Sequence, residues 1–147
     1  MFKSATLQTH LIVMELKNSR FSITIKVAPE HLDDLNHVNN VIYVQWMQDI
    51  AGMHWNTFAP DKLKTDVLWM IRRHEIDYFN QAFLKDELRM ETWTGEYTNV
   101  TWERHYEITR VSDNKKIISA ASVWVAFDRK TQRIRKMDEE LVTALLR

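Results

Sequence analysis

The chain has no cysteine among its 147 residues, which excludes disulfides, thiolate metal sites and a cysteine nucleophile together. Only two glycines and two prolines occur, so a glycine-rich phosphate loop and a flexible interdomain linker are both missing, and nucleotide hydrolysis drops out. Neither sign of charge is in excess: Lys+Arg and Asp+Glu each total 20, which gives no reason to expect nucleic acid as a partner. No stretch approaches the ~20 apolar residues of a membrane span. The first twenty residues carry no secretory pattern, and the expected address is the cytoplasm. The six histidines show no H-E-x-x-H or comparable spacing, so no metal is expected. A serine-hydrolase elbow, G-x-S-x-G, is also missing.

What is present is enough apolar content, 45%, for one buried core. The expected organisation is an N-terminal extension over residues 1–19 and a single domain over residues 20–147. Phe21-Ser22-Ile23-Thr24-Ile25-Lys26-Val27 alternates with period two and reads as a half-buried strand ended by Pro29. From Asn39 or Asn40 to Phe58, apolar residues return at helical spacing: Tyr43, Trp46, Met47, Ile50, Ala51, His54, Trp55 and Phe58. Asn39 or Asn40 is the N-cap candidate, and Pro60 stops the helix. Beyond Asp66 the chain reads as strand almost to its end: 67–78, 87–99, 101–111 and 116–128, with Ser112-Asp113-Asn114-Lys115 as a hairpin connection. One early long helix followed by meandering antiparallel strands makes an α+β domain.

The chemistry concentrates in Asp33-Asp34-Leu35-Asn36-His37-Val38-Asn39-Asn40-Val41-Ile42-Tyr43. It reads as a loop that brings a carboxylate to the start of the helix, where free backbone N–H groups and the helix dipole polarise an electron-rich group. Asp33 is the candidate general base or nucleophile for acyl transfer or hydrolysis, against the alternative of a simple loop or helix cap. The N–H groups near Asn39, Asn40 and Val41 are the candidate oxyanion donors. His37 and Asn39 are candidates to orient water or add a hydrogen bond, and Asn40 suits a cap better than a catalyst. Asp49, on the helix beside Gln45 and Gln48, reads as part of a polar face. Trp46, Trp93 and Trp124 are expected in the core, with Trp55 and Trp69 at the border of an acyl pocket. Arg72, Arg73, Arg104 and Lys115 are the cations considered for anion binding.

Asp33-x-x-x-His37-Val38-Asn39-Asn40-x-x-Tyr43 resembles the D-x-x-G-H-V-N-N-x-x-Y signature of hotdog-fold acyl-CoA thioesterases, the 4-hydroxybenzoyl-CoA thioesterase group. The resemblance extends through Arg73-His74-Glu75-Ile76-Asp77-Tyr78, Asp86, Thr92-Trp93 and Ser122 to Asp128. Asn36 stands where the family has Gly, and Asn is the residue best able to keep a left-handed bend there. The resemblance implies a hotdog fold, an antiparallel sheet curled around one long central helix. It implies hydrolysis of an acyl-CoA thioester to free acid and coenzyme A without a cofactor, with Asp33, His37, Asn39 and Asn40 at the site. It also implies a homodimer or homotetramer, and acyl-carrier protein is a further candidate partner. The alternative is a hotdog module that binds acyl-CoA or acyl-carrier protein without cleaving it. A hotdog dehydratase would need a differently spaced Asp and His.

Overall fold

The structure is a computed structural model and describes residues 20–146, together with the backbone of residues 15–17. The elements in chain order are β1 (Glu15–Lys17), β2 (Arg20–Lys26), a 3-10 turn at Pro29–His31, α1 (Asn40–Phe58), α2 (Asp61–Asp66), β3 (Val67–Tyr78), β4 (Glu87–Tyr97), β5 (Thr101–Arg110), β6 (Lys116–Asp128) and α3 (Glu139–Leu145). The strands form one antiparallel sheet in the order β1-β2-β4-β5-β6-β3. The expected extension over residues 1–19 therefore contributes an edge strand at Glu15–Lys17, and the rest of it lies outside the described residues.

The aromatic stripe of α1 determines how the sheet is used. Tyr43, Trp46, Met47, Ile50, Ala51, His54 and Trp55 are all buried, and Phe58 is half-buried. They pack against the inward residues of the strands, among them Ile23 and Ile25 on β2, Leu88 and Met90 on β4, Tyr106 and Ile108 on β5, and Ile118 and Trp124 on β6. Alternation along β5 puts Trp102, Arg104, Tyr106 and Ile108 inside and Glu103, His105 and Glu107 outside. A second cluster, around Trp55, Leu63, Val67, Trp102 and Ala126, closes the far end of α1. Ile23, Met47 and Ile108 have no solvent exposure at all.

Two short helices, before and after the stretch read as strand, were not foreseen. α2 begins directly after Pro60 and is short, so no apolar period can show in it. α3 is capped by the Asp138 side chain, which accepts from the Leu141 N–H at 3.0 Å, and it buries Leu141, Ala144 and Leu145 in the second cluster. Trp93 is a correction to the expected core. It is half-buried on the outer face, sandwiched between the Arg20 guanidinium, 3.7 Å from the ring centroid, and the stacked His105 ring. The β4 alternation explains this, because Leu88, Met90 and Thr92 point inward and Trp93 takes the opposite parity. The β4–β5 connection is a tight turn, with Thr98 N–H donating to Thr101 O, preceded by a register shift between Thr94 and Tyr97.

Asn36 has φ 59°, the left-handed geometry expected of it. Replacing Asn36 by Gly is expected to leave stability nearly unchanged, whereas Asn36→Val should lower it by about 1–2 kcal/mol. Urea denaturation of the two variants measures the difference.

Candidate active site

The Asp33 loop is built around its own carboxylate. Asp33 Oδ1 accepts the Leu35 N–H at 2.9 Å and the His37 N–H at 3.2 Å, while the Asp33 N–H donates to His37 O and the Asn36 N–H to Asp33 O. One carboxylate oxygen thus organises the turn, and no bond to the other, Oδ2, is found among the described residues. Asp33 is half-buried, and Asp34, Leu35 and Asn36 are exposed. Asp34 is therefore the solvated partner of the pair.

The loop is seated by distant parts of the chain. Val38 N–H donates to Ala82 O and Asn39 N–H to His31 O. The His37 ring stands edge-on to Phe83, 5.3 Å between centroids, and the two residues form an isolated bridge. The segment carrying Phe83 is itself clamped: Arg110 Nη1 donates to Asp86 Oδ2 at 3.0 Å and to Gln81 O at 2.9 Å, and Phe83 N–H donates to Asp86 Oδ2. Asp86 holds Arg110 in its charged form, with their hydrogen bond the leading cause. Phe83 and Arg110 are supporting residues that sequence reasoning missed, because only the strand pairing brings them to residues 33–38.

Asn39 is the N-cap of α1, its Oδ1 accepting the Val41 N–H at 3.1 Å. The Ile42 N–H donates to Asn39 O. Asn40 is the first helical residue and is exposed, and its N–H has no acceptor among the described residues. Val41 and Ile42 in the same turn have acceptors, so the Asn40 amide is an open donor of the helix start. Tyr43, one turn further on, is buried, and burial pushes its phenol far above the usual value.

The other candidates fall elsewhere. Asp49 accepts from Gln45 Nε2 at 2.9 Å and is half-buried, and desolvation raises its carboxyl above the usual range. Arg73 pairs with Glu75, while Arg72 and Lys115 are exposed. Arg104, another of the cations considered for anion binding, is buried and donates to His54 Nδ1 at 3.0 Å and Thr92 Oγ1 at 3.1 Å. Trp55 and Trp69, packed edge-to-face with centroids 5.6 Å apart, do line a cavity, which lies at the far end of α1 with Trp102, Arg104, Trp124 and Leu145. Among the described residues no group of three or more His, Asp or Glu is placed to hold a metal ion. No helix among them is long and apolar enough to cross a membrane.

The family model described as the acyl-ACP thioesterase N-terminal domain matches residues 19–145. The chain belongs to this family. Among curated relatives of this chain is a protein from Cuphea hookeriana named a chloroplastic palmitoyl-acyl carrier protein thioesterase. It is 25% identical over 122 residues, which are 80% of this chain and 27% of that protein. The chain spans about a quarter of the length of the curated relatives it matches. Among solved structures, the probable thioesterase YbaW from Escherichia coli superimposes with a TM-score of 0.73 at 22% identity, covering 86% of this chain and 98% of that one. A Staphylococcus aureus protein solved in complex with CoA superimposes with a TM-score of 0.77 at 14% identity, covering 92% and 85%. The fold is therefore the hotdog arrangement, α+β, with the sheet curled around α1.

The raised carboxyl of Asp49 gives a signed expectation. Burial favours its neutral form, so its folded pKa lies above its unfolded one, and its favourable contribution exists at low pH and is lost as pH rises through the folded value. Asp49→Asn should therefore raise the melting temperature at pH 7 and leave it unchanged near pH 3. Thermal unfolding of wild type and variant at both pH values measures this.

Proposed function

We propose that this protein hydrolyses an acyl thioester carried on a phosphopantetheine arm, the group that coenzyme A and acyl-carrier protein share. The supporting observation is the Asp33 carboxylate: Oδ1 is fixed by two backbone N–H groups, Oδ2 is left for a reacting molecule, and the open end of α1 follows in the same loop. Asp33 acts on the thioester carbon, as general base through a water molecule or as nucleophile through a mixed anhydride. The Asn40 N–H and the positive end of α1 stabilise the oxygen that gains charge. The C–S bond breaks and the thiolate takes up a proton; the water that attacks directly, or that hydrolyses the anhydride and restores the Asp33 carboxylate, supplies the oxygen of the free acid. His37, held by Phe83, flanks Asp33 and orients water, and Asn39 keeps the first turn open by capping it through Val41. No cofactor enters this scheme.

The curated relatives named for acyl-carrier-protein substrates support the carrier protein as donor, and the neighbour solved with CoA supports coenzyme A. A second reading, a binding module without hydrolysis, draws support from the same two bonds to Oδ1, which give Asp33 a structural task of its own.

The protein is also proposed to work as a homodimer or larger homo-oligomer. Among the described residues β3 has β6 on one side and no strand on the other, and it carries Met70 and Tyr78 exposed at 56% and 45%. Pairing with a second copy would cover that edge.

Asp33→Asn keeps an oxygen able to accept from Leu35 and His37, so the fold and melting temperature should stay close to wild type. Turnover, read as free-thiol release from palmitoyl-CoA and palmitoyl-acyl-carrier protein, should fall on the order of 10²–10⁴-fold. Unchanged turnover would remove Asp33 from the chemistry, and no turnover by the wild type on either donor would leave the binding-module reading.

A further inference from the structure

Trp102 and Arg104 stand two residues apart on β5 and share its inward face. Both line the cavity at the far end of α1, whose empty space, open mouth included, is about 310 Å³. Both are also short of acceptors. The Trp102 indole N–H is buried and has no partner among the described residues. Arg104, 6% exposed, uses Nη1 for His54 Nδ1 and Thr92 Oγ1. A guanidinium carries five N–H donors; no bond from Nε or Nη2 is found among the described residues, and no carboxylate among them pairs with it.

Burying a guanidinium without an opposing charge is unfavourable, and buried charges are ordinarily paired. Burial lowers the proton affinity of Arg104 from its ordinary value. Among the described residues, the buried atom on this wall without a partner, Trp102 Nε1, is a donor, so the missing complement there is an acceptor, and the buried cation beside it favours an anion. The guanidinium fork matches a planar carboxylate. Besides Thr94 and Glu103, whose carboxylate lies 3.6 Å from His105 Nε2 and which belongs to the exposed face of β5, the rest of the wall is apolar: Trp55, Trp69, Trp124 and Leu145.

We propose that this cavity binds the carboxylate end of an apolar chain, with Arg104 gripping the carboxylate, Trp102 adding its indole N–H, and Trp55, Trp69 and Trp124 packing on the adjoining methylenes. The carboxylate has two chemical sources: a free long-chain acid, or the distal end of a dicarboxylic acyl thioester whose other end lies at the Asp33 loop. The second source rests on the thioesterase reading. It requires a long chain, because α1 rises about 22 Å from Asn40 to Trp55 at 1.5 Å per residue.

The test is titration of the intact protein with decanoate and with 1-decanol, read by tryptophan fluorescence, in wild type, Arg104→Met and Arg104→Lys. Decanoate should bind wild type at least tenfold more tightly than decanol. Arg104→Met should abolish that preference without weakening decanol, and Arg104→Lys should retain part of it. Equal affinity of wild type for the two ligands, no binding of either, or a preference undiminished in a folded Arg104→Met overturns the proposal. The wild-type comparison decides by itself if the methionine variant does not fold. Hexadecanedioyl-CoA and palmitoyl-CoA then separate the sources. Faster turnover of the former, lost in Arg104→Met, identifies a substrate tail. Equal turnover, with the decanoate preference intact, identifies a free acid. The titration does not depend on turnover, so failure of the thioesterase reading leaves it decisive.

Discussion

Burial of one face of α1 is the constraint on which the rest of this molecule depends. A helix carrying Tyr43, Trp46, Met47, Ile50 and Trp55 toward one side cannot be stable in water by itself, and only a surface that bends around it covers so broad a stripe. The sheet supplies that surface, with β2, β4, β5 and β6 all sending aliphatic or aromatic residues to the same core. The position of the helix start, and with it the direction in which its first amides point, is a by-product of that packing.

The site is then a problem of fastening a polar loop to an apolar rod. Asp33 solves part of it locally by accepting from Leu35 and His37. The remainder is solved at long range, through Ala82, Phe83 and the Asp86–Arg110 pair. A carboxylate with one oxygen committed to the backbone is well located, and its second oxygen has a defined direction. This division of labour within one side chain reconciles the structural and the chemical readings of Asp33.

The parts of the fold that could be read from the chain are those where a period has room to declare itself. β3 and β6 came out with their observed boundaries, and α1 within one residue, because each runs for several turns or alternations. α2 and α3 are shorter than two turns, although Asp138 followed by Glu139 and Glu140 was a readable start signal for the latter. Trp93 was misplaced because residue type was weighed above strand parity. Parity puts Trp93 outside and Arg104 inside, against the usual habits of tryptophan and arginine. In the site, the Asn36 bend and the Asn39 cap were legible because they are local. The grip of Phe83 on His37 was not, since no spacing along the chain reports a contact made through the sheet.

The strand order has a kinetic side. β2 is made early in the chain but lies against β4, with Phe21 opposite Thr92, and β3 waits for β6, with Val67 opposite Asp128. Neither pairing can form until most of the polypeptide exists, and α1 must be in place before the sheet can close over it. Contacts this distant in sequence slow folding because the entropy of closing long loops is lost before the pairing compensates for it. On a ribosome, then, the aromatic face of α1 emerges well ahead of the strands that will cover it. For that interval it is a hydrophobic helix in need of shelter, and the vulnerable moment in the life of this domain comes before it has a site at all.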